Sequence, residues 1–290
     1  MKALIYHKST SDFYSEKNIN NARLSKNDKL PLIRFDCFKH YPVEAVFTTK
    51  IGGVSGGYLS SLNLDDDQKD IPGNVYKNYG LLAENLGIKQ TSFVRGNQVH
   101  KSRVMYIDES FIPFTSENIK YPDTDGFFTD KEGPALCIGG ADCTPVYLYD
   151  PVVHAIALVH SGWRGTAAGI GKNAVLSLTR LGSNPENITA LIGPSISMEN
   201  YEVTSDVIDE FKSAFNNTEM KDIAFPTYGN HFQLDLWAAC FHVLKNSGLN
   251  PENIYFSNIC TYENHRLLYS HRYTQGLRGN MNGIMFLKNI

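Results

Sequence analysis

Long apolar runs are missing from this 290-residue chain. Nothing approaches the ~18 to 20 consecutive apolar residues of a membrane span, and the opening MKALIYHKSTSDFYSEKN lacks the hydrophobic stretch of a secretory signal. A basic surplus is missing too. With 27 Lys and Arg against 30 Asp and Glu, a net charge of -3 and a pI near 6.3, the chain offers no general field for nucleic acid or anionic lipid. A charged partner must be met by a local pocket, and a small molecule is the expectation. Cysteine is sparse: Cys37, Cys137, Cys143, Cys240 and Cys260 are odd in number, widely spaced and without a CxxC pair. That is the usage of a reduced, soluble, cytoplasmic protein without disulfides. No oligomeric state is legible.

What is present reads as one α/β domain large enough to bury its own core. Residues 8 to 31 are polar and rich in Ser, Asn and Lys, so residues 1–42 read as a peripheral or loosely ordered N-terminal extension and 43–290 as a single domain. VEAVFTTK (43–50) is a strand entering the loop IGGVSGGYLSSLNL, whose glycine spacing fits neither a Walker loop nor a dinucleotide fingerprint. Val75, Tyr79, Leu82 and Leu86 recur at helical spacing between Pro72 and Gly87. SFVRG and SRVMYID predict short strands flanking NQVHK, while PALCIGG, PVYLYD and VVHAIALVH predict core strands. One helix is predicted over 164–182, further helices over 205–215 and 234–247, and strands at ITALIG, IYFSNIC and GIMFLK. Interleaved strands and helices predict α/β layers with a mixed sheet.

Chemistry concentrates in ADCTPVYLYDPVVHAIALVHSGWRG (141–165), where two apolar strands carry a cysteine, two histidines and an arginine. Such groups cost free energy in a core unless compensated. Cys143 precedes one strand and His160 ends the next; strand ends leading into helices are where α/β proteins place sites. His154, beside Asp150-Pro151, reads as a core or surface histidine. Cysteine and histidine together admit a thiolate–imidazole nucleophile, a metal-ligand pair or an inert buried pair. His100 from NQVH would complete a Cys-His-His set, the complement of a zinc centre that keeps its fourth position open. Arg164, expected in the first turn of a helix, suits phosphate or pairs with Asp142. Trp163 reads either as core or as a flank for a planar base.

GNQVHKSRV, TDGFFTD, GADCTPVYLYDP, HAIALVHSGWRGTAAGI and IGPSIS, in that order, resemble the laccase-domain family, also described as multicopper polyphenol oxidases and as purine nucleoside phosphorylases with adenosine deaminase activity. TTKIGGVS…LNL and CTYENHRLLYSHR match its outer motifs, so the likeness runs from about residue 43 to the C-terminus. The resemblance implies a three-layer α/β/α fold similar to the catalytic domain of cytotoxic necrotising toxins, and a metal held by His100, Cys143 and His160. One departure stands out: the usual Gly-Arg-Met is here Gly279-Asn280-Met281, with Arg278 two positions away.

The oxidase description meets a physical obstacle. A type-1 copper plus a trinuclear cluster takes about ten histidines with paired His-x-His ligands, whereas this chain has nine histidines and no such pair. One mononuclear site, zinc or alternatively copper, is the most it can build. The resemblance therefore implies an enzyme acting on purine nucleosides (adenosine, inosine or methylthioadenosine) with phosphate, and a metal-assisted deamination at C6 of adenosine. Arg164 is the first choice to hold phosphate, with Lys50 and Arg272 as weaker candidates, and Asp142 or Asp125 could protonate the leaving purine. Two other readings compete: a cysteine hydrolase or amidase using Cys143 with His160 or His100 as base, and a purine- or metal-binding module without activity.

Overall fold

The computed structural model describes residues 3–8, 12–14, 17–25, 29–66, 69–117 and 120–288. Its strands are β1 (Ala22–Leu24), β2 (Leu32–Phe35), β3 (Val43–Thr48), β4 (Phe93–Arg95), β5 (Val104–Tyr106), β6 (Gly126–Thr129), β7 (Ala135–Gly140) and β8 (Thr144–Asp150). They continue with β9 (Ala155–Ser161), β10 (Thr189–Ile192), β11 (Glu202–Thr204), β12 (Ala224–Pro226), β13 (His231–Leu234), β14 (Ile254–Phe256) and β15 (Met281–Leu287). The helices are α1 (Asn74–Leu86), α2 (Trp163–Ala167), α3 (Ile170–Arg180), α4 (Ser205–Ala214), α5 (Met220–Ile223), α6 (Leu236–Asn246) and α7 (His271–Thr274).

Two six-stranded sheets carry the fold, the first ordered β1-β2-β3-β15-β7-β4 and the second β14-β10-β8-β9-β6-β5. Both are mixed: β4 runs parallel to β7, and β14 and β5 run parallel to β10 and β6, while the remaining pairs are antiparallel. Side-chain alternation decides how the sheets stack. Tyr147, Tyr149, Ile156 and Leu158 of the second sheet meet Phe35, Phe47, Leu136 and Met285 of the first in one core. The opposite face of the second sheet, Val146, Leu148, Ala157 and Val159, packs on α3 and α6. The opposite face of the first, Leu32, Val46, Phe93 and Ile284, packs on α1.

The α/β class with mixed sheets agrees with the sequence expectation, but the layers number four, α/β/β/α, where the resemblance implied three. The physical reason is that a strand buried on both faces has the same apolar composition whether a helix or a second sheet covers it. A second difference concerns the helix expected over 164–182. Gly169, at φ +74°, breaks it into α2 and α3, a backbone conformation glycine adopts without steric cost.

The N-terminal stretch is tied down. Of residues 8–31, positions 9–11, 15, 16 and 26–28 lie outside the described residues. Within the rest, β1 pairs with β2 at the edge of the first sheet, and Tyr14 is buried against α6 with its hydroxyl donating to both carboxylate oxygens of Asp235 at 2.7 and 2.8 Å. Asn18 and Asn21 bond the backbone of β14. Among the described residues no helix is long and apolar enough to cross a membrane.

Candidate metal centre and its cavity

The hairpin of β8 and β9 sets two of the three ligands. Its closed end is a turn in which Asp150 accepts from the backbone N–H groups of Val152 and Val153. Its open end pairs Pro145 with His160 and Thr144 with Ser161, which leaves Cys143 beside His160. His100 arrives on the connection from β4 of the first sheet to β5 of the second. The ligand atoms of His100, Cys143 and His160 all lie within 4.8 Å of one another. Bonds of about 2.0 to 2.3 Å to a central zinc would close that spread with a small inward movement. Among the described residues this trio is the one such cluster of His, Cys, Asp and Glu.

Asp125 fixes the arrangement. Its carboxylate accepts from the backbone N–H groups of Val99, His100 and Lys101 at 3.1, 2.9 and 3.1 Å, and from His160 Nδ1 at 3.0 Å. Its own carbonyl accepts the His160 N–H at 2.7 Å. One buried carboxylate thus holds the His100 loop and orients the His160 ring, leaving Nε2 to face the centre, as outer partners of metal-bound histidines do. Burial opposes ionisation of Asp125, and the His160 ring and the backbone donors outweigh it, so its pKa falls.

Cys143 and His160 form a coupled pair. Burial raises the thiol, but the neighbouring imidazoles of His160 and His100 more than offset this and bring it down to about 6. Burial lowers His160, whereas the Cys143 sulfur and Asp125 lift it to about 9. The thiolate is the soft donor a zinc or copper ion takes, and an ion would displace the proton that the Cys143–His160 pair holds, so the residues fit such an ion with an open position.

Gly162 was not singled out from sequence. A Cβ there would stand 3.0 Å from Cys143 Sγ, 3.2 Å from His100 Cδ2 and 3.7 Å from His160 Cε1. Its bare backbone is the floor that lets three ligands converge, and the Gly in SGWRG directly after His160 was the available signal.

Beside the trio opens a cavity of about 230 Å³, polar in lining. His100, Cys143 and His160 line it, together with Asp65, Arg95, Lys120, Arg278 and Asn280. Arg95 bonds Asp66 at 2.7 Å, and Lys120 lies 3.9 and 3.6 Å from Asp65 and Asp66. Gln98 pairs both ways with the backbone of Gly139, at 2.8 and 2.7 Å, which ties the ligand loop to β7.

The other residues singled out from sequence do not line this cavity. Arg164 is exposed and its guanidinium lies 4.2 Å from the Trp163 ring centroid. Arg272 is exposed, donates to the Glu202 carbonyl at 3.0 Å and sits over Tyr201. Lys50 donates to the His265 carbonyl at 2.6 Å. Asp142, at φ +89°, is buried next to Cys143, and its oxygens accept from Thr261 Oγ1 at 2.6 Å and the Arg272 N–H at 2.7 Å. His154 bonds the Tyr149 hydroxyl at 3.2 Å, in the turn at the far end of the hairpin.

Fold and donor set together define an α/β protein with, among the described residues, one three-residue cluster suited to one metal ion. The chain belongs to the multi-copper polyphenol oxidoreductase laccase family, whose profile matches residues 44–288. It is 35% identical over 249 residues to a purine nucleoside phosphorylase, YlmD, of Bacillus subtilis, covering 85% of this chain and 89% of that one. It is 33% identical over 233 residues to an adenosine deaminase, RL5, from an unknown prokaryotic organism, covering 79% and 88%. Among solved structures, the hypothetical protein YfiH of Bacillus licheniformis superposes with a TM-score of 0.87 at 31% identity, covering 93% of this chain and all of that one. YlmD of Geobacillus stearothermophilus gives 0.85 at 28%, with the same coverage.

Proposed function

We propose that the chain is a purine nucleoside phosphorylase that also deaminates adenosine, with zinc, or alternatively copper, held by His100, Cys143 and His160. The observation that carries this reading is the convergence of those three donor atoms within 4.8 Å beside a polar cavity. The activities named for relatives at 33 to 35% identity support it. When bound, zinc supplies Lewis acidity and lowers the pKa of water toward neutrality, which suits hydrolytic loss of the 6-amino group.

The chain's own residues do the rest. Asp125 holds His160 and the His100 loop; Asp142 anchors the Cys143 loop to Thr261 and to the first turn of α7. Both carboxylates are occupied as acceptors, which suits positioning more than proton delivery. In phosphorolysis a phosphate oxygen bonds C1′ while the C1′–N9 bond breaks, the electron pair leaving with the purine. The proton the purine takes at N7 is the one that dihydrogen phosphate gives up. Arg164 and Arg272, exposed on the side of Tyr201, draw the anion toward the site, and cavity walls orient the reactants.

The deciding experiment incubates metal-analysed protein with adenosine, with and without phosphate, and separates the products. Inosine without phosphate and adenine plus ribose 1-phosphate with it are expected; neither product would defeat the proposal. The lowered thiol of Cys143, with His160 and Asp125 aligned behind it, favours one second reading, a cysteine hydrolase. Equal alkylation of Cys143 with and without metal, together with amidase turnover after chelation, would support that reading instead.

A further inference from the structure

We propose that inorganic phosphate is seated by Arg278 in the cavity that the metal ligands also line. The inference rests on the phosphorylase reading and names which of the chain's cations holds the co-substrate. Arg278 lines the same cavity as His100, Cys143 and His160, and lies close enough to Cys143 and Asp142 to feel their charge. Its Nη1 donates to Asn280 Oδ1, while its Nε is buried with no hydrogen-bond partner among the described residues. A buried donor without an acceptor costs free energy unless a ligand supplies one. With Nη1 occupied, the edge formed by Nε and Nη2 remains, and that edge is the fork that meets two oxygens of a tetrahedral oxyanion.

The support behind this edge is rigid. Asn280 donates its backbone N–H to Asn63 Oδ1 at 3.0 Å and its Nδ2 to Asp65 Oδ2 at 2.6 Å, so Arg278 leans on a residue itself held at two points. Among the described residues, Arg95 and Lys120 are paired with Asp65 and Asp66, whereas Arg278, which lines the same cavity, is in neither pair. The alternatives are worse placed: Arg164 and Arg272 are exposed, and Lys50 is engaged with the His265 carbonyl outside the cavity.

The test uses full-length, metal-loaded protein and the variants Arg278→Met and Arg278→Lys. For Arg278→Met the KM for phosphate in inosine phosphorolysis is expected to rise about 10- to 100-fold, the range for losing a hydrogen bond to a charged group. The KM for inosine should move far less, and bound metal per chain should stay the same. Arg278→Lys, which keeps the charge and loses the fork, should fall between. Calorimetric titration of inorganic phosphate into the same proteins should show binding by the wild type that Arg278→Met loses. An unchanged phosphate KM, or a rise confined to inosine, would overturn the seat. If the wild type has no phosphorolysis, the titration alone decides: phosphate binding lost in Arg278→Met and weakened in Arg278→Lys upholds the seat while the phosphorylase reading fails, and binding absent from the wild type or retained by Arg278→Met overturns it.

Discussion

The two sheets are alike in size and in mixed strand direction, yet the walls they give the cavity differ in kind. The second sheet, through Cys143, His160 and Asp125, supplies ligand atoms whose geometry is fixed by ladder register and by one carboxylate with four donors. The first sheet and its loops supply polar and charged groups, Arg95 on β4 and Arg278 and Asn280 ahead of β15, with Asp65 and Asp66, and Lys120 joins them from the β5–β6 connection of the second sheet. A metal needs donors at set distances, so Cys143 and His160 are fixed at the open end of the β8–β9 hairpin; an anion is drawn by field and by a guanidinium edge, which tolerates long side chains from strand and loop alike. His100 belongs to the metal wall but rides on the connection between the sheets, where Asp125 holds its loop.

The largest break in this comparison removes a ligand. Cys143→Ser and His160→Ala are each expected to lower zinc affinity by more than the 10- to 100-fold typical of losing an outer partner, and to abolish deamination, measured by competition with a chromogenic chelator and by inosine formation. Next is Asp125→Asn, which keeps the shape but replaces a carboxylate acceptor with an amide, so that His160 loses its charged partner and the His100 loop loses an acceptor. Zinc affinity should fall about 10- to 100-fold, while phosphate binding at Arg278 stays close to wild type. Equal loss at both walls would mean that they are one unit.

Gly162→Ala sharpens the same contrast with a single methyl group. Gly162 has φ −71° and ψ 167°, which alanine adopts freely, so its effect is steric: the new Cβ meets Cys143 Sγ at 3.0 Å and His100 Cδ2 at 3.2 Å. Overpacking of this sort costs about 1 to 3 kcal/mol, and here it falls on ligand placement. A lower zinc affinity with little change in the phosphate KM is expected. Unaltered metal binding would show that the ligands reach the ion from elsewhere.

How much of this the sequence revealed follows from what leaves a local trace. Cys143 and His160 were legible because titratable side chains at the ends of apolar runs are costly without a purpose. The strands around them were legible too, since PVYLYD and HAIALVH lie within β8 and β9 to within a few residues. Asp125 was weighed only as an acid, because its four donors come from residues 99–101 and 160, and no pattern in TDG announces them. Arg164 reads as a phosphate holder because it stands in the first turn of a helix, and it does stand there in α2, but its side chain is exposed over Trp163 and does not line the cavity, which no local pattern announces. The polar N-terminal stretch looked unanchored because its Asn and Tyr side chains bond distant backbone and Asp235, and polarity alone cannot distinguish those partners from water.

The smallest effect concerns what stiffens the metal wall from behind. Tyr14 donates to Asp235, the residue capping α6; Trp237 of α6 donates to Ser195 Oγ, which also takes a bond from Thr144, the neighbour of Cys143. Burial raises Asp235 to about 6, moderated by the Ala238 N–H and by Tyr14. A raised folded-state pKa means that the group's contribution is fully present below its unfolded value and is lost as pH rises through about 6. Above that pH the buried carboxylate leans on its donors. Tyr14→Phe should therefore cost about 1 to 3 kcal/mol near neutral pH, measured by urea denaturation, and less below about pH 5, where Asp235 is protonated in the fold. If the wall is stiff, zinc affinity in this variant stays within about threefold of wild type, a change under 1 kcal/mol. A larger drop would make the N-terminal segment part of the metal site's support, and the contrast between a fixed wall and an adaptable one would have to be drawn through α6 instead.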